Sequence, residues 1–291
     1  MDKIQNLVIN YLKEEKMDDY DGIGKGELIY TYKMQLFIIT CKSLSYKRNG
    51  IGIDYNRFSE EINLLKYYLN GANDSLESFF NGKLSDFEDD SVLYRILPII
   101  IANKDIKIIE EEIIKNVSIT SRNPKTFLKG LTAVYIVREY LENEKIDVDK
   151  VKESLINLSI TKYLDNYKFM DKNFILNFEK ERINVISKIT TNLKNIYEGT
   201  FNIAENMEGK IIQDNYYKLI SDFSEYLKNL KDGKLKIEKY NDNNKENKRI
   251  KVSEGNIFDH YLLGKSKIVK NDKRYFYIKT KYGLFKFNKI R

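Results

Sequence analysis

Residues 26–44, GELIYTYKMQLFIITCKSL, restrict the fold more than any other stretch of this chain. The middle and end of the run are apolar on almost every side. A helix formed here has no polar face to offer water and belongs at the centre of a body that encloses it. That helix is expected over residues 26–47. One detail is out of keeping with burial: the first turns carry Thr31-Tyr32-Lys33-Met34-Gln35, with Lys33 where the helix enters the core. The preceding GIGKG (22–26) does not make a phosphate loop. Such a loop needs a strand before it and Ser or Thr after the Gly-Lys pair; here KMDDYD leads in and Gly26 follows Lys25. It reads as a flexible connector.

Helical periodicity governs residues 1–230. Ile4, Leu7, Val8, Tyr11 and Leu12 follow the 3.6-residue period. With an acid at position 2 and no small-residue cleavage site, this start is expected to be an amphipathic helix and not a signal peptide. Phe58, Ile62, Leu65, Tyr68 and Leu69 form a second stripe behind a capping Asp54, and Asn73 or Asp74 caps a short helix through Phe80. Residues 91–103 are apolar on most faces, and further helices are expected at 105–117, 124–142 and 147–159. Asp147 and Asp149 fall in a first turn, where acids favour the helix dipole. From 162 to 230 the period continues through Ile175, Phe178, Ile183, Val185, Ile186 and Ile189. Pro124 fits the first turn of a helix, whereas Pro98 lies inside RILPIII, so that helix should start near it or kink there. The apolar runs LFIITC (36–41) and ILPIIIA (96–102) fall short of the roughly 20 residues of a membrane span.

The pattern changes near Gly233. KLKIEKY (234–240) alternates with period two, and NDNNKENK (241–248) is a polar loop. RIKVS, a segment around Ile257–Leu263, KSKIVKN, RYFYIKTK and GLFKFNKI follow, with turn signals NDK and KYG between the last three. A small antiparallel sheet of four to six strands is expected, with Tyr275 and Tyr277 on one face and Phe276 and Ile278 on the other, one face buried and one exposed. Charge changes at the same place. Residues 231–291 hold 18 Lys and Arg against 7 Asp and Glu, a net +11; the formal charge of the whole chain is +7, which leaves −4 for the 230 residues before them. A basic segment behind a mildly acidic body attracts nucleic acid, anionic headgroups or acidic proteins.

Residues able to carry chemistry are sparse. His260 is the one histidine and Cys41 the one cysteine. Together they are too few for a structural zinc, no intrachain disulfide is possible, and nothing points to secretion. His260 reads as structural or surface, Cys41 as a buried thiol. Acids cluster at Asp18-Asp19-Tyr20-Asp21, Glu88-Asp89-Asp90 and Glu110–Glu112. An oxygen-ligand metal needs carboxylates converging from several segments. The third cluster reads as a solvated helix face; the first two read as caps before buried helices or as ligands. The tail interleaves Lys273, Arg274, Tyr275, Tyr277, Lys279, Lys281 and Lys286. Two readings stay open for it: a phosphate-neutralising, base-stacking surface, or a small sheet whose rings are its core and whose lysines guard its edges.

Three segments together resemble the ADP-ribosylglycohydrolase family, the all-helical type that activates dinitrogenase reductase. TYKMQLFIITCKSL (31–44) is similar to that family's Thr/Ser-Asp-Asp-Thr-Gln motif opening a buried helix, with Thr31 and Gln35 kept. DDSVLYRILPII (89–100) is similar to a Gly-Asn-Gly-Ser-Leu-Met-Arg-Ile-Ala-Pro-like motif and keeps Leu93, Arg95, Ile96 and Pro98. ITSRNPKTFLKGLTAVYIVREYL (119–141) is similar to a Leu-Thr-His-Pro-His-Pro-like motif and keeps Thr120 and Pro124. The resemblance covers roughly residues 26–142. It implies the family's helical fold and argues against its activity. The two aspartates that hold magnesium in the family are replaced here by Tyr32 and Lys33, and a lysine ammonium repels a dication. The family's late Asp-x-Asp-Thr motif has no counterpart; Asp147-Val148-Asp149 has the spacing but lies too early and is followed by Lys150.

The resulting expectation is a mainly α protein: an ADP-ribosylglycohydrolase-like helical domain (1–230) followed by a small basic antiparallel β domain (233–291). It is expected to be a cytoplasmic pseudoenzyme with no cofactor and no catalytic residues. A ligand-binding cleft is expected at Thr31, Tyr32, Lys33, Gln35, Asp89, Asp90 and Ser91. The β domain would dock a protein partner, or nucleic acid through residues 234–291. The alternative enzyme is a divergent hydrolase with a carboxylate site rebuilt from Asp18, Asp19, Asp21, Asp89 and Asp90.

Overall fold

The computed structural model describes residues 2–13, 15–17, 29–71, 73–189, 215–236 and 253–289. Over these residues the chain is mostly helical, with a small and mainly antiparallel sheet. Helix α1 (Lys3–Leu12) opens on Asp2, whose carboxylate accepts the Ile4 N–H. GIGKG and the Asp18–Asp21 cluster lie outside the described residues. Helix α2 (Tyr32–Ser43) is buried from Met34 to Cys41, as the apolar run predicts, but it is shorter than expected. It starts late because Thr31 is extended and caps it, while Ile29–Tyr30 form strand β2. It stops early because Leu44–Lys47 (β3) turn at Arg48-Asn49 and pair with Gly50–Ile53 (β4). This hairpin, with Gly50 at φ +159 just after its two-residue turn, overrides the helical reading of residues 44–47.

Helices α3 (Tyr55–Leu65) and α4 (Asp74–Phe80) start at Asp54 and Asn73, the capping residues expected. Helix α5 (Val92–Ala102) is buried along nearly its whole length. It does not start near Pro98 but runs through it. The proline ring there removes only the bond to the Tyr94 carbonyl, and apolar neighbours bury the flanking turns. Helices α6 (Ile106–Val117), α7 (Pro124–Asn143) and α8 (Val148–Asn157) begin at Asp105, Asn123 and Asp147, with Pro124 at the first helical position. Helix α9 (Lys172–Lys188) and helix α10 (Asn215–Lys231) complete the described helices. Two helices buried along most of their length sit at the centre: α2 packs on α3 and α5, and α5 also packs on α6, α7 and α10. Among the described residues no helix is long and apolar enough to cross a membrane.

The sheet has six strands in the order β1-β2-β8-β7-β6-β5. Strands β5 (Ile257–His260), β6 (Gly264–Asn271), β7 (Tyr275–Thr280) and β8 (Gly283–Asn288) form an antiparallel meander at the positions expected. Residues 233–291 do not build the sheet alone, however. Strand β2 joins β8 in parallel, and β1 (Lys16–Met17) pairs with β2. The expected strand KLKIEKY is not seen at Lys234–Lys236, and its remainder, like most of RIKVS, lies outside the described residues. The inner face of the meander packs on the helices. Tyr68 meets Phe285 and Phe287 at ring distances of 5.1 and 5.0 Å, contacts of about 0.5–1.5 kcal/mol each. The Asn288 N–H reaches the Tyr67 carbonyl at 2.8 Å. Gly283 has φ +117, and any side chain there would strike the Tyr30 ring, so the β7–β8 turn needs glycine.

Glu110–Glu112 is not a uniformly solvated face. Glu110 is 6% exposed and accepts hydrogen bonds from the Tyr135 hydroxyl (2.7 Å) and Lys162 (2.8 Å). Glu112 accepts the Ile53 N–H and the Tyr55 hydroxyl, each at 3.1 Å. Only Glu111 turns to water, because α6 is flanked by the β3–β4 hairpin on one side and α7 on the other.

Candidate functional site

The N-terminal ends of α2, α5 and α7 meet, so the three similar segments converge in space although they lie far apart in sequence. Their polar residues divide into two groups. Thr31 and Gln35 hold the backbone. The Thr31 hydroxyl accepts the Met34 N–H and donates to Glu15. Gln35, 1% exposed, donates to the Tyr68 carbonyl and accepts the Asn70 N–H, pinning the turn after α3. The Asn70 carbonyl accepts the Tyr32 N–H, and Gly71, with φ +110, lets the chain pass against the Tyr32 ring.

Tyr32 and Lys33 instead reach across to α5. The Tyr32 hydroxyl donates to Asp90 Oδ2 at 2.6 Å, and Lys33 Nζ is 3.6 Å from the same oxygen. Burial, and next the Asp90 carboxylate, push the Tyr32 phenol well above its ordinary value, so it stays a donor. The Lys33 ammonium also lies 5.3 Å from the centre of the Tyr94 ring. Asp89 points the other way, into the core. Its Oδ1 accepts the Ser91 N–H (2.9 Å) and hydroxyl (2.6 Å), and its own N–H donates to Thr126 on α7 (3.0 Å). Asn73, the cap of α4, spans the two acids, with Nδ2 3.2 Å from Asp89 and 3.0 Å from Asp90. Beneath them lies Arg95, fully buried. It donates to Thr120 at 2.7 Å and faces Asp89 Oδ2 at 3.5 Å without a hydrogen bond. Burial lowers the Arg95 pKa and Asp89 opposes the shift.

All seven expected cleft residues are therefore in one neighbourhood, but Gln35, Asp89 and Ser91 are buried, Thr31, Tyr32 and Lys33 are half-buried, and Asp90 is exposed. The set does not fit a divalent cation. Asp90 is already matched by an ammonium and a phenol, and Asp89 by a guanidinium and three donors. Among the described residues no group of three or more His, Cys, Asp or Glu could hold a metal. Asp18, Asp19 and Asp21, needed for a rebuilt carboxylate site, lie outside the described residues.

The other end of α2 holds a second charged centre, which the sequence reading missed. Lys42, with its side chain 4% exposed, pairs with fully buried Glu61 at 2.5 Å; Arg57 approaches the same Glu61 oxygen at 3.7 Å. The Lys42 ammonium lies 5.0 Å from the Tyr282 ring centre. Burial lowers its pKa and Glu61 pulls it back up. A cavity of about 610 Å³, lined in part by Cys41, Lys42, Phe223, Tyr226 and Tyr282, opens beside it at the seam between helices and sheet. The signal was available: Lys42 is four residues after Ile38, and Glu61 three after Phe58, so two opposite charges sit on apolar stripes.

On the sheet, Lys273 and Arg274 lie in the β6–β7 turn, Lys281 in the β7–β8 turn, and Lys279 and Lys286 on strands. Tyr275 is half-buried beneath Lys286. Tyr277 is not the exposed ring expected: it is fully buried, clustered with Ile29 and Leu284, and it cannot stack on a base. His260 accepts the Leu262 and Leu263 N–H groups at Nδ1 (3.2 and 3.3 Å), a structural use, and burial takes its pKa down to about 4. No protein-family model matches the chain, and no curated protein matches it significantly.

Proposed function

We propose that this chain is a binding or regulatory module, built on a helical body of ADP-ribosylglycohydrolase-like fold, whose cleft no longer hydrolyses ADP-ribosyl bonds and whose basic sheet is its docking surface. One observation carries the reading. Tyr32 and Lys33, which stand where the similar family has metal-binding aspartates, both contact Asp90. The ammonium supplies at Asp90 the positive charge that a metal would otherwise supply. Hydrolysis assisted by a metal needs an open coordination position and a bound water of lowered pKa, and an ammonium offers neither. The meeting of three segments that are distant in sequence at one set of helix starts supports the fold side of the reading.

Two measurements on the purified chain test it. Magnesium should produce no release of ADP-ribose from ADP-ribosylated arginine, and release would overturn the proposal. Magnesium should also leave the thermal midpoint of the natural chain unchanged, yet raise that of the Tyr32→Asp/Lys33→Asp variant, which restores the acid pair.

A further inference from the structure

We infer that the inner face of the sheet, beside α3, holds a binding site for an uncharged aromatic ligand that carries one carbonyl-type hydrogen-bond acceptor. The site shares no residue with the cleft and stands whether or not the cleft hydrolyses anything. Residues directly opposite in an antiparallel pair share a face. Phe276 lies opposite Phe287, and Ile278 opposite Ile268, so these side chains belong to the inner face. Ser266 is two residues before Ile268 on β6, which puts its partner Phe258, and with it His260, on the same face. At β8 this face is closed by Tyr68, which packs on Phe285 and Phe287. Toward β5 it opens into a cavity of about 550 Å³, within the range of small-molecule sites, with Leu64 and Tyr67 around the end of α3 as the facing wall.

The walls and one polar group specify the ligand. Tyr67, Phe258, Phe276 and Phe287 all line the cavity. The first three rings are only half-buried, so a flat aromatic body would cover apolar area that water now touches, and would stack on them. At the β5 end the cavity meets His260. Its Nδ1 accepts the Leu262 and Leu263 N–H groups, so the single proton of the neutral imidazole sits on Nε2. Burial keeps the ring neutral. Tyr261 stacks on it at 4.9 Å, which fixes the ring before any ligand arrives. Nε2–H has no hydrogen-bond partner among the described residues, and it offers one donor in an otherwise apolar setting. A carbonyl oxygen matches that donor. A carboxylate does not, because one neutral N–H does not offset the loss of its hydration. Lys289, the cation of the lining among the described residues, gives its ammonium to the Asp272 carbonyl. It follows β8, which is three strand spacings, about 14 Å, from β5. No acid lines the cavity among the described residues, so a cationic ligand has no partner either.

Three naphthalenes with one body and different heads test this on the full chain at neutral pH: 2-acetylnaphthalene (a ketone), 2-ethylnaphthalene (no acceptor) and 2-naphthoate (a carboxylate). Equilibrium dialysis measures affinity, and the ring signal of His260, the only histidine, places the ligand in proton NMR. The ketone should shift that signal to saturation and bind about two- to ten-fold tighter than the ethyl compound, the net yield of one hydrogen bond. In His260→Asn the amide oxygen can still accept the Leu262 and Leu263 N–H groups, but no donor reaches the Nε2 position. The preference for the ketone should then fall to about one-fold. Leu64→Trp fills the cavity without touching that turn, and should weaken the ketone and the ethyl compound alike, by about ten-fold or more. A His260 signal unmoved by the ketone would overturn the inference, as would a ketone preference that survives in His260→Asn or a ketone affinity unchanged in Leu64→Trp. Tighter binding of 2-naphthoate than of the ketone would overturn it in favour of recognition at Lys289. None of these outcomes bears on ADP-ribose release, so the two readings fail separately.

Discussion

The two ends of α2 use the same parts for opposite purposes. At each end a lysine faces a carboxylate beside a tyrosine ring: Lys33 with Asp90 and Tyr94, Lys42 with Glu61 and Tyr282. Lys33 and Asp90 have side chains 27% and 55% exposed, whereas Lys42 and Glu61 are 4% and 0% exposed. Solvent decides what each pair is worth. An exposed pair gains at most about 1 kcal/mol and is screened by salt. A buried pair adds little net stability, yet each partner is strongly needed once the other is present. The Lys42 end is a joint between helices and sheet; the Lys33 end can change its charge cheaply, and that is where a site could lose one chemistry and gain another.

The largest effect expected follows from that contrast. Lys42→Met strands the Glu61 carboxylate in the core with Arg57 as the remaining cation beside it among the described residues, and should cost about 3–5 kcal/mol, toward the lower figure because Arg57 remains. Lys42→Met/Glu61→Leu removes both charges and should return to within about 1 kcal/mol of the natural chain. Urea unfolding of the single and double variants measures both values. If the double variant is no better than the single one, the pair is not acting as a unit and the contrast collapses.

Whether these ends could be read in advance depended on what sets each feature. Caps are local: Asp54, Asn73, Asp105, Asn123 and Asp147 act on N–H groups two or three residues away, and each starts a helix in the structure. The apolar run of α2 was legible for the same reason. The shared sheet was not, because the pairing of Ile29 with Leu284 depends on where the chain returns after more than two hundred residues. Glu110 looked solvated because its partners, Tyr135 and Lys162, sit on other elements. At the candidate site, it was the resemblance, and nothing local to either segment, that set Tyr32 and Lys33 beside residues 89–91. The inward turn of Asp89 toward Arg95 did not, since it takes Thr120, Thr126 and Asn73 to hold it.

His260 gives a finer probe of the Lys42 end. Burial first, and then the nearby Lys42 charge, hold its pKa at about 4 against an ordinary 6.5. The folded state therefore keeps the ring neutral while the unfolded chain takes up a proton. Stability should rise with pH across this window and be lost as pH falls from 6.5 toward 4, by about 1–2 kcal/mol after allowance for partial exposure. As the only histidine, it gives one titrating ring signal in proton NMR. A variant that removes the Lys42 charge should move its midpoint upward, and Lys33→Met should leave it in place. A midpoint that moves equally in both would mean that the two ends of α2 are electrostatically continuous.

The smallest effect belongs to Lys33 itself. Lys33→Met should cost less than about 1 kcal/mol, because Asp90 keeps the Tyr32 hydroxyl, the Asn73 amide and water. Half-molar salt should erase most of the difference between this variant and the natural chain, while the Lys42 variants should keep theirs, since ions screen an exposed pair and do not reach a buried one. A loss from Lys33→Met as large as that from Lys42→Met, and equally indifferent to salt, would mean that Asp90 needs the ammonium to fold. The lysine would then be a structural cation and not a side chain available to a ligand, and the accessible part of the cleft would lose its positive charge.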